Sequence, residues 1–470
     1  MIYTTEDSFE APKYAALSYC WGSVGQSLVL TEKNLQEWSY EGICTDLLPA
    51  TIRDAITVTH SLGILYLWVD SMCIVQDARE DKERELKKIH LVYENCYVAI
   101  CVANRESGDG FLDQTTNHVC GKPFGFQFAC TLPDGQTGTL IVSITEHFQP
   151  KEDKINQRAW TLQERLLAPR TLYYTNDPSL LYWDCSSLFE RHDSQNSADL
   201  ESARSHEWSM GRLRAEVAAP KHHREEESST FDDELIDKVM LEWKQVVCDY
   251  SKRLISHDED RLDAMASLAA KFQTALPPDY TYVAGMWLDP AQGYRQFIHA
   301  LYWAVCRGEA RPTSEYVSPS WSWASVHGEI RGEPDWPGWG TSKEPQCTVI
   351  DHHWELTSLE LPYGRVRPGA WLRLEGYLSP VVLKLRDGGQ TGTLREMGSM
   401  RAYSGGFSVD GDFTEEKEII IWYFILFDSQ GLLLERLEGV SDDMFKKIGT
   451  ARLFGDDLRN QKSFATVVIV

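Results

Sequence analysis

Three short runs near the N-terminus constrain this chain most: residues 14–19 (YAALSY), 65–69 (LYLWV) and 97–102 (YVAICV). Each has the length of a strand and is apolar at successive rather than alternate positions, so both faces of the strand need cover. The stretches between them have helical spacing. Pro49 opens one with Ile52, Ala55, Ile56 and Leu62 on a common face and Gly63 where a C-terminal cap belongs. Charged residues 81–88 lead into a second, through Leu86, Ile89 and Tyr93. The order βαβαβ predicts a mostly parallel sheet with right-handed crossovers, whose ligands gather at the carboxyl ends of the strands.

Residues 124–144 alternate around Pro133-Asp134-Gly135, which predicts a hairpin inserted in this α/β unit. The helical pattern returns with Ala159, Leu162 and Leu166 on one stripe, closed by Pro169 before a strand at 171–174. Residues 191–234 are rich in Ser, Asp and Glu, including Glu225-Glu226-Glu227, and read as an acidic linker or mobile insertion. Residues 235–276 are helical in pattern, and 282–305 are expected to continue that region with Trp287, Phe297, Leu301 and Trp303. From Pro319 the rhythm turns to short apolar runs between Gly and Asp clusters, at 371–374, 381–383, 419–427 and 467–470. The expected organisation is an α/β domain at 1–190, the acidic segment 191–234, a helical region at 235–318 and a β-rich domain at 319–470.

Composition narrows the partners. With 46 Lys and Arg against 70 Asp and Glu, the formal charge of -24 repels phosphate backbones and anionic headgroups, so no nucleic acid and no membrane surface is expected as a partner. The first residues carry Glu6, Asp7 and Glu10 and fit neither a secretory signal nor a transit peptide, and the longest apolar run, 419–427, is too short to cross a bilayer as a helix. A cytoplasmic protein is expected. Eleven cysteines without a C-x-x-C pair read as reduced thiols rather than disulfides. His222-His223 and His352-His353 lack a second ligand pair at metal spacing, so no metal is expected.

Asp70, at the end of a buried strand, and Gln76, in the loop after it, stand where a doubly wound sheet presents ligand groups; each also suits a cap or turn. Cys73 in the same loop is a nucleophile only beside an imidazole such as His60 or His90, and otherwise a small core residue. Trp160, Glu164 and Leu167 fall at i, i+4 and i+7, which turns the glutamate inward. An inward carboxylate needs a partner, and Arg158, Arg165 and Arg170 are near in sequence, so a buried salt bridge and a functional carboxylate both fit. If 321–323 is a strand, Trp321 and Trp323 share one face, a core face or a ligand groove, and Ser322 takes the other. Neither phosphate-binding glycine motif is present around Gly22.

Three blocks in order, Tyr14-Ala15-Ala16-Leu17-Ser18-Tyr19-Cys20-Trp21-Gly22, Leu67-Trp68-Val69-Asp70-Ser71-Met72-Cys73-Ile74-Val75-Gln76-Asp77 and Arg158-Ala159-Trp160-Thr161-Leu162-Gln163-Glu164, resemble the signature of the fungal heterokaryon-incompatibility (HET) domain. The resemblance covers roughly residues 1–175. Asp260-Arg261-Leu262, Ala284-Gly285-Met286-Trp287 and residues 319–326 resemble pieces common in long fungal proteins that carry this domain. It implies a flavodoxin-like core similar to the TIR domain, and a role in non-self recognition and programmed cell death with self-association on activation and a protein partner in recognition. Some TIR domains cleave NAD through a glutamate in a W-x-x-x-E helix, the spacing of Trp160 and Glu164 here. The resemblance thus implies Glu164 as catalytic, Ser18, Tyr19, Trp21, Gly22, Asp70, Gln76, Arg158 and Trp160 as ligand-binding, and NAD as a substrate with no bound cofactor. The alternatives are a non-catalytic HET module for interaction and oligomerisation, and a cysteine-based enzyme of unrelated chemistry.

Overall fold

The computed structural model describes residues 12–22, 25–112, 125–131, 137–143, 153–175, 180–185, 189–193, 233–305, 310–313, 315–331, 344–359, 361–386, 391–397, 404–410, 418–454 and 463–470. The chain divides into two compact units, Met1–Ala215 and Glu216–Val470. The turn at Pro133-Asp134-Gly135 and most of the acidic segment 191–234 lie outside the described residues.

Unit 1 is built on six strands: β1 (Tyr14–Cys20), β2 (Tyr66–Trp68), β3 (Val98–Glu106), β6 (Arg170–Tyr174), β7 (Leu180–Cys185) and β8 (Phe189–Asp193), in the order β2-β1-β3-β6-β7-β8. The first four are mutually parallel and the last two antiparallel, so the expected mostly parallel sheet is present. β4 (Gly125–Thr131) and β5 (Thr137–Ser143) form the inserted hairpin in register Gly125 to Ser143. The crossovers are α1 (Glu32–Tyr40) and α2 (Ala50–Ser61), then a single turn α3 (Asp70–Cys73) with α4 (Arg79–Asn95), and finally α5 (Thr161–Leu167). Gly63 adopts φ 72° just past α2, the left-handed stop that its position predicts.

The continuous apolar runs follow from the two layers. Ala15, Leu17 and Tyr19 of β1 and Val98, Ile100 and Val102 of β3 pack with Trp38, Ile52, Ala55 and Val58 of α1 and α2. The alternate residues Cys20, Cys101 and Ala103 pack with Ile155, Tyr173 and Tyr182 on the other side. β2 departs from expectation: it is an edge strand with all three residues half-buried, and Leu65 beside it is 84% exposed.

Unit 2 begins with α6 (Asp233–Ser251) and α7 (Asp260–Gln273). The expected helical continuation at 282–305 is instead a tight hairpin, β9 (Thr281–Val283) and β10 (Met286–Leu288), followed by the short helix α8 (Arg295–Ala300). Ala284 and Gly285 form its turn with φ of 48° and 89°, the two positive values of a type I′ turn, which overrides the apolar spacing around it. β11 (Ala304–Val305) pairs with β14 (Ile330–Arg331), and β12 (Arg311–Pro312) with β13 (Val326–His327).

Residues 321–323 are not a strand either. Ser322 accepts from the Ala324 amide at 3.0 Å and donates to the Ala284 carbonyl at 2.5 Å, so its hydroxyl bends the chain into a 3-10 turn and both tryptophans are buried as core. The β-rich third forms one large sheet from β15 (Thr348–His353), β16 (Trp371–Arg386), β17 (Thr391–Glu396), β18 (Ser404–Val409), β19 (Glu418–Phe427), β20 (Gln430–Arg436), β21 (Met444–Phe454) and β22 (Ser463–Ile469). Its ladder closes on itself, β16 to β19 to β20 to β21 to β22 and back to β16, which makes a five-stranded barrel. Expected as successive regions, the helical and β-rich stretches make a single unit.

Candidate functional site

In unit 1 the chain leaves β1 toward β2 on one side and later returns to β3 on the other, so the strand order reverses at β1, where open α/β sheets take ligands. The register of β1 against β3 slips there, from Ser18 opposite Cys101 to Cys20 opposite Glu106. Such an irregularity opens the ladder and re-aims side chains. Ser18 uses the freedom to donate its hydroxyl to the Glu164 carboxylate at 2.5 Å.

Glu164 is the one half-buried residue of α5; every other residue of that helix is buried. Arg165 lies over the Tyr173 ring at 5.0 Å and reaches Asn156, and Arg170 stacks on Tyr97 at 4.8 Å. Arg158 is exposed and donates to the Tyr19 carbonyl at 2.9 Å, at the same strand end.

Asp70 begins α3 just beyond β2. The Trp21 indole N–H bridges its two oxygens at 3.0 and 3.2 Å, and the Ser71 amide donates at 2.7 Å. Despite three donated contacts its carboxyl is pushed up to about 6, first by burial and then by the negative charge of Glu164, against a smaller opposing pull from Arg158. Two carboxylates therefore share one neighbourhood and repel each other. Tyr93 of α4 belongs to the same neighbourhood: it is buried, donates to the Leu17 carbonyl at 3.0 Å, and its phenol is held far above its ordinary range by burial and by both carboxylates.

The structure thus brings Ser18, Trp21, Asp70, Arg158 and Glu164 together. Tyr19 points to the opposite face, where its hydroxyl meets Gln26 at 2.5 Å and Ser71 at 2.9 Å. Gln76 braces the loop by donating to the carbonyls of Asp70 and Ile74 at 3.1 and 3.0 Å, so its amide fixes Asp70 rather than facing outward with it. Gly22 is required by its backbone: φ is 99°, and a Cβ there would lie 2.7 Å from Glu106 Oε2. Trp160 sits half-buried at the start of α5, one turn before Glu164. Cys73 fits a nucleophile poorly, since its thiol is pushed up to about 11, mainly by burial and in smaller part by the charges of Asp70 and Glu85. Sequence reasoning missed Tyr93 and Ser71 as parts of this site. Tyr93 carried only the signal of a core helix stripe, and Ser71 lay inside the second signature block.

Among the described residues no group of three His, Cys, Asp or Glu is placed to hold a metal ion, and no helix is long and apolar enough to cross a membrane. Residues 14–164 match the family model described as heterokaryon incompatibility protein (HET), a span that runs from the first residue of β1 to Glu164 itself. No curated protein and no solved structure matches the chain. Residues 14–164 of unit 1 are thus similar to the heterokaryon incompatibility domain.

Proposed function

We propose that the chain is a fungal cell-death effector of non-self recognition whose N-terminal domain, residues 1–190, hydrolyses NAD once it self-associates. The observation that carries this reading is the placement of Glu164: the sole half-buried side chain of a buried helix, fixed by Ser18 at 2.5 Å where the strand order reverses. The parallel order β2-β1-β3-β6 is that of the first four strands in the flavodoxin-like arrangement, which supports the TIR-like comparison.

Nicotinamide leaves NAD as a neutral molecule from a cationic precursor, so its departure needs no proton. The C1′–N bond breaks with its electron pair going to the nicotinamide nitrogen, and the ribose becomes an oxocarbenium ion. Glu164 supplies the negative charge that stabilises this ion. Water then adds at C1′ and loses a proton to solvent or to ionised Asp70. Exposed Arg158 offers the cation that the pyrophosphate needs in a chain of formal charge -24.

The test is nicotinamide release from NAD by the purified chain at several protein concentrations. Release that rises faster than protein concentration supports activation by self-association. Glu164→Gln keeps an oxygen that accepts from Ser18 but lacks the charge, so turnover is lost while the melting temperature holds. Unchanged turnover in that variant overturns the assignment. The non-catalytic interaction module is favoured by a different feature, the edge strand β2 with Leu62 and Leu65 exposed beside it, a surface on which sheets pair between chains. Concentration-dependent self-association without nicotinamide release selects that reading.

A further inference from the structure

The barrel of unit 2 has two unlike ends. Toward one end, Leu374, Phe424, Leu432 and Val467 fill the interior and are fully buried, and the strand ends there meet the preceding segment: Phe427 stacks on His299 at 4.2 Å, and Ser320 donates its amide to the Val470 carbonyl at 3.0 Å. The other end holds a cavity of about 300 Å³ to which all five strands contribute, among them Leu378 and Pro380 of β16, Trp422 of β19, Arg436 of β20, Phe445 of β21 and Ser463 of β22.

Arg436 is the anomaly. Strand alternation and the pairing of Trp422 with Leu434 and of Arg436 with Phe445 put Trp422, Leu434, Arg436 and Phe445 on the inner face, where Leu434 is fully buried. The side chain stands at the barrel's mouth, 38% exposed, so its guanidinium keeps part of its hydration and turns an open edge toward the cavity. Both rings lie to one side of it, the Trp422 ring at 4.5 Å and the Phe445 ring at 5.6 Å, with the ring centres themselves 5.7 Å apart. Nε is closed to water and without a hydrogen-bond partner, while the outer edge is paired only loosely, Nη1 standing 3.8 Å from the fully exposed Asp442, an ion pair too long for a hydrogen bond.

We infer that this mouth is a binding site for a small monocarboxylate with an apolar body, with Arg436 as its anchor. A carboxylate is the planar two-oxygen acceptor that matches the two outer guanidinium nitrogens, and the two rings packed along one side of Arg436 restrict it before the ligand arrives. Leu378, Pro380 and Phe445 suit an apolar body, and the Ser463 hydroxyl offers one further polar contact. Asp442 and Asp443 on the rim disfavour a phosphate dianion, and the volume admits a group of about amino-acid size. The carboxylate can belong to a free small acid or to the C-terminus of a peptide. The site does not depend on the NAD reading.

Calorimetric titration of the full chain tests this with N-acetyl-L-phenylalanine, with its uncharged carboxamide, and with a hexapeptide ending in a free phenylalanine carboxylate. Saturable one-to-one binding is expected for at least one carboxylate, and the tighter of the two names the source. The carboxamide should bind at least tenfold more weakly. Arg436→Met should bring the acid down to the level of the carboxamide, and Asp442→Asn, which removes a competing charge at the rim, should tighten the acid several-fold at low salt. Absence of binding by both carboxylates, or equal affinity for acid and carboxamide, overturns the inference. Should Arg436→Met fail to fold, the Asp442→Asn comparison decides alone, and an unchanged affinity there counts against the site.

Discussion

Two groups of charged side chains in this molecule obey opposite rules. Near the end of β18, Asp410 meets Lys447 of β21 in a contact closed to water, with the two side chains 2% and 0% exposed and the ammonium 3.2 Å from the centre of the Trp303 ring. Burial pushes the Asp410 carboxyl up and the Lys447 amine down, and each charge offsets part of the other's cost. In unit 1, Asp70 and Glu164 carry the same sign and stay half-buried, and the charge of Glu164 makes Asp70 harder to ionise. A sealed pair of opposite charges is accounted for by the fold that contains it. A half-open pair of like charges, with Arg158 beside it, stands at the point of the sheet where ligands bind.

The comparison breaks most readily at the sealed pair. Lys447→Met leaves Asp410 buried without its cation, and the expected loss is about 3–5 kcal/mol, read as a drop in thermal unfolding temperature. Adding Asp410→Asn should recover much of it. A small loss from the single variant would mean that water reaches the pair, and the contrast with unit 1 would fail.

The interlocked core of unit 2 offers the next effect. Gly285 accepts from both Trp243 and Trp323 through its carbonyl, at 3.2 and 2.9 Å, and a Cβ on it would come within 2.5 Å of the Trp323 ring nitrogen. Gly285→Ala should therefore cost about 2–4 kcal/mol from overpacking and from a left-handed backbone together. Here three sequence pieces that are far apart in the chain prove to be one structural joint. Arg261 lies over Trp323 at 5.6 Å and reaches the His327 ring at 3.2 Å, while Ser322 bonds Ala284.

That joint shows what the sequence could convey. The strands β1 and β3 were legible because cover on two faces leaves an unmistakable apolar run, and α2 because its stripe ended at a glycine. β2 has the same composition as a central strand, and only the sheet order reveals it as an edge. The hairpin at 281–288 was hidden because its turn is Ala284-Gly285, where a non-glycine residue takes φ 48° under tertiary constraint. In the site, Asp70 and Glu164 were legible as carboxylates at structural boundaries. Their mutual repulsion was not, since they are distant in sequence and meet only through the register of the sheet. The barrel was legible only as strands, because closure depends on pairings between β16 and β22 that no local pattern encodes.

For the open pair the expected change has the opposite direction to that at Lys447. Asp70 is raised to about 6 in the folded chain against an ordinary value near 4, so between those pH values the native state holds more protons than the unfolded one. Stability from this group is then greatest below pH 4, falls as pH rises toward 6, and stays lowered above it. Asp70→Asn removes the penalty, and because the carboxyl is partly exposed the gain at pH 7.5 should be about 1–2 kcal/mol, vanishing below pH 4. Unfolding curves of both proteins at pH 3.5 and 7.5 measure it. A loss at pH 7.5 would mean that the bonds from Trp21 and Ser71 outweigh the repulsion.

The smallest effect separates the two causes acting on Asp70. Trp21→Phe keeps an aromatic ring packed against the core but removes the N–H that both Asp70 oxygens accept, a charge-assisted bond that favours the ionised form. Its removal should move the Asp70 midpoint upward. Glu164→Gln removes the repelling charge and should move the same midpoint downward, while Ser18 still donates to the remaining oxygen. Titration of the aspartate carboxyl carbons by NMR, with Asp70→Asn identifying the resonance, reads both shifts on folded protein without relying on any activity. Opposite displacements place Asp70 between a donor and a like charge as described. A Glu164→Gln variant that leaves the midpoint in place would show that burial alone raises it, and the pair would then be two independent carboxylates rather than a coupled site.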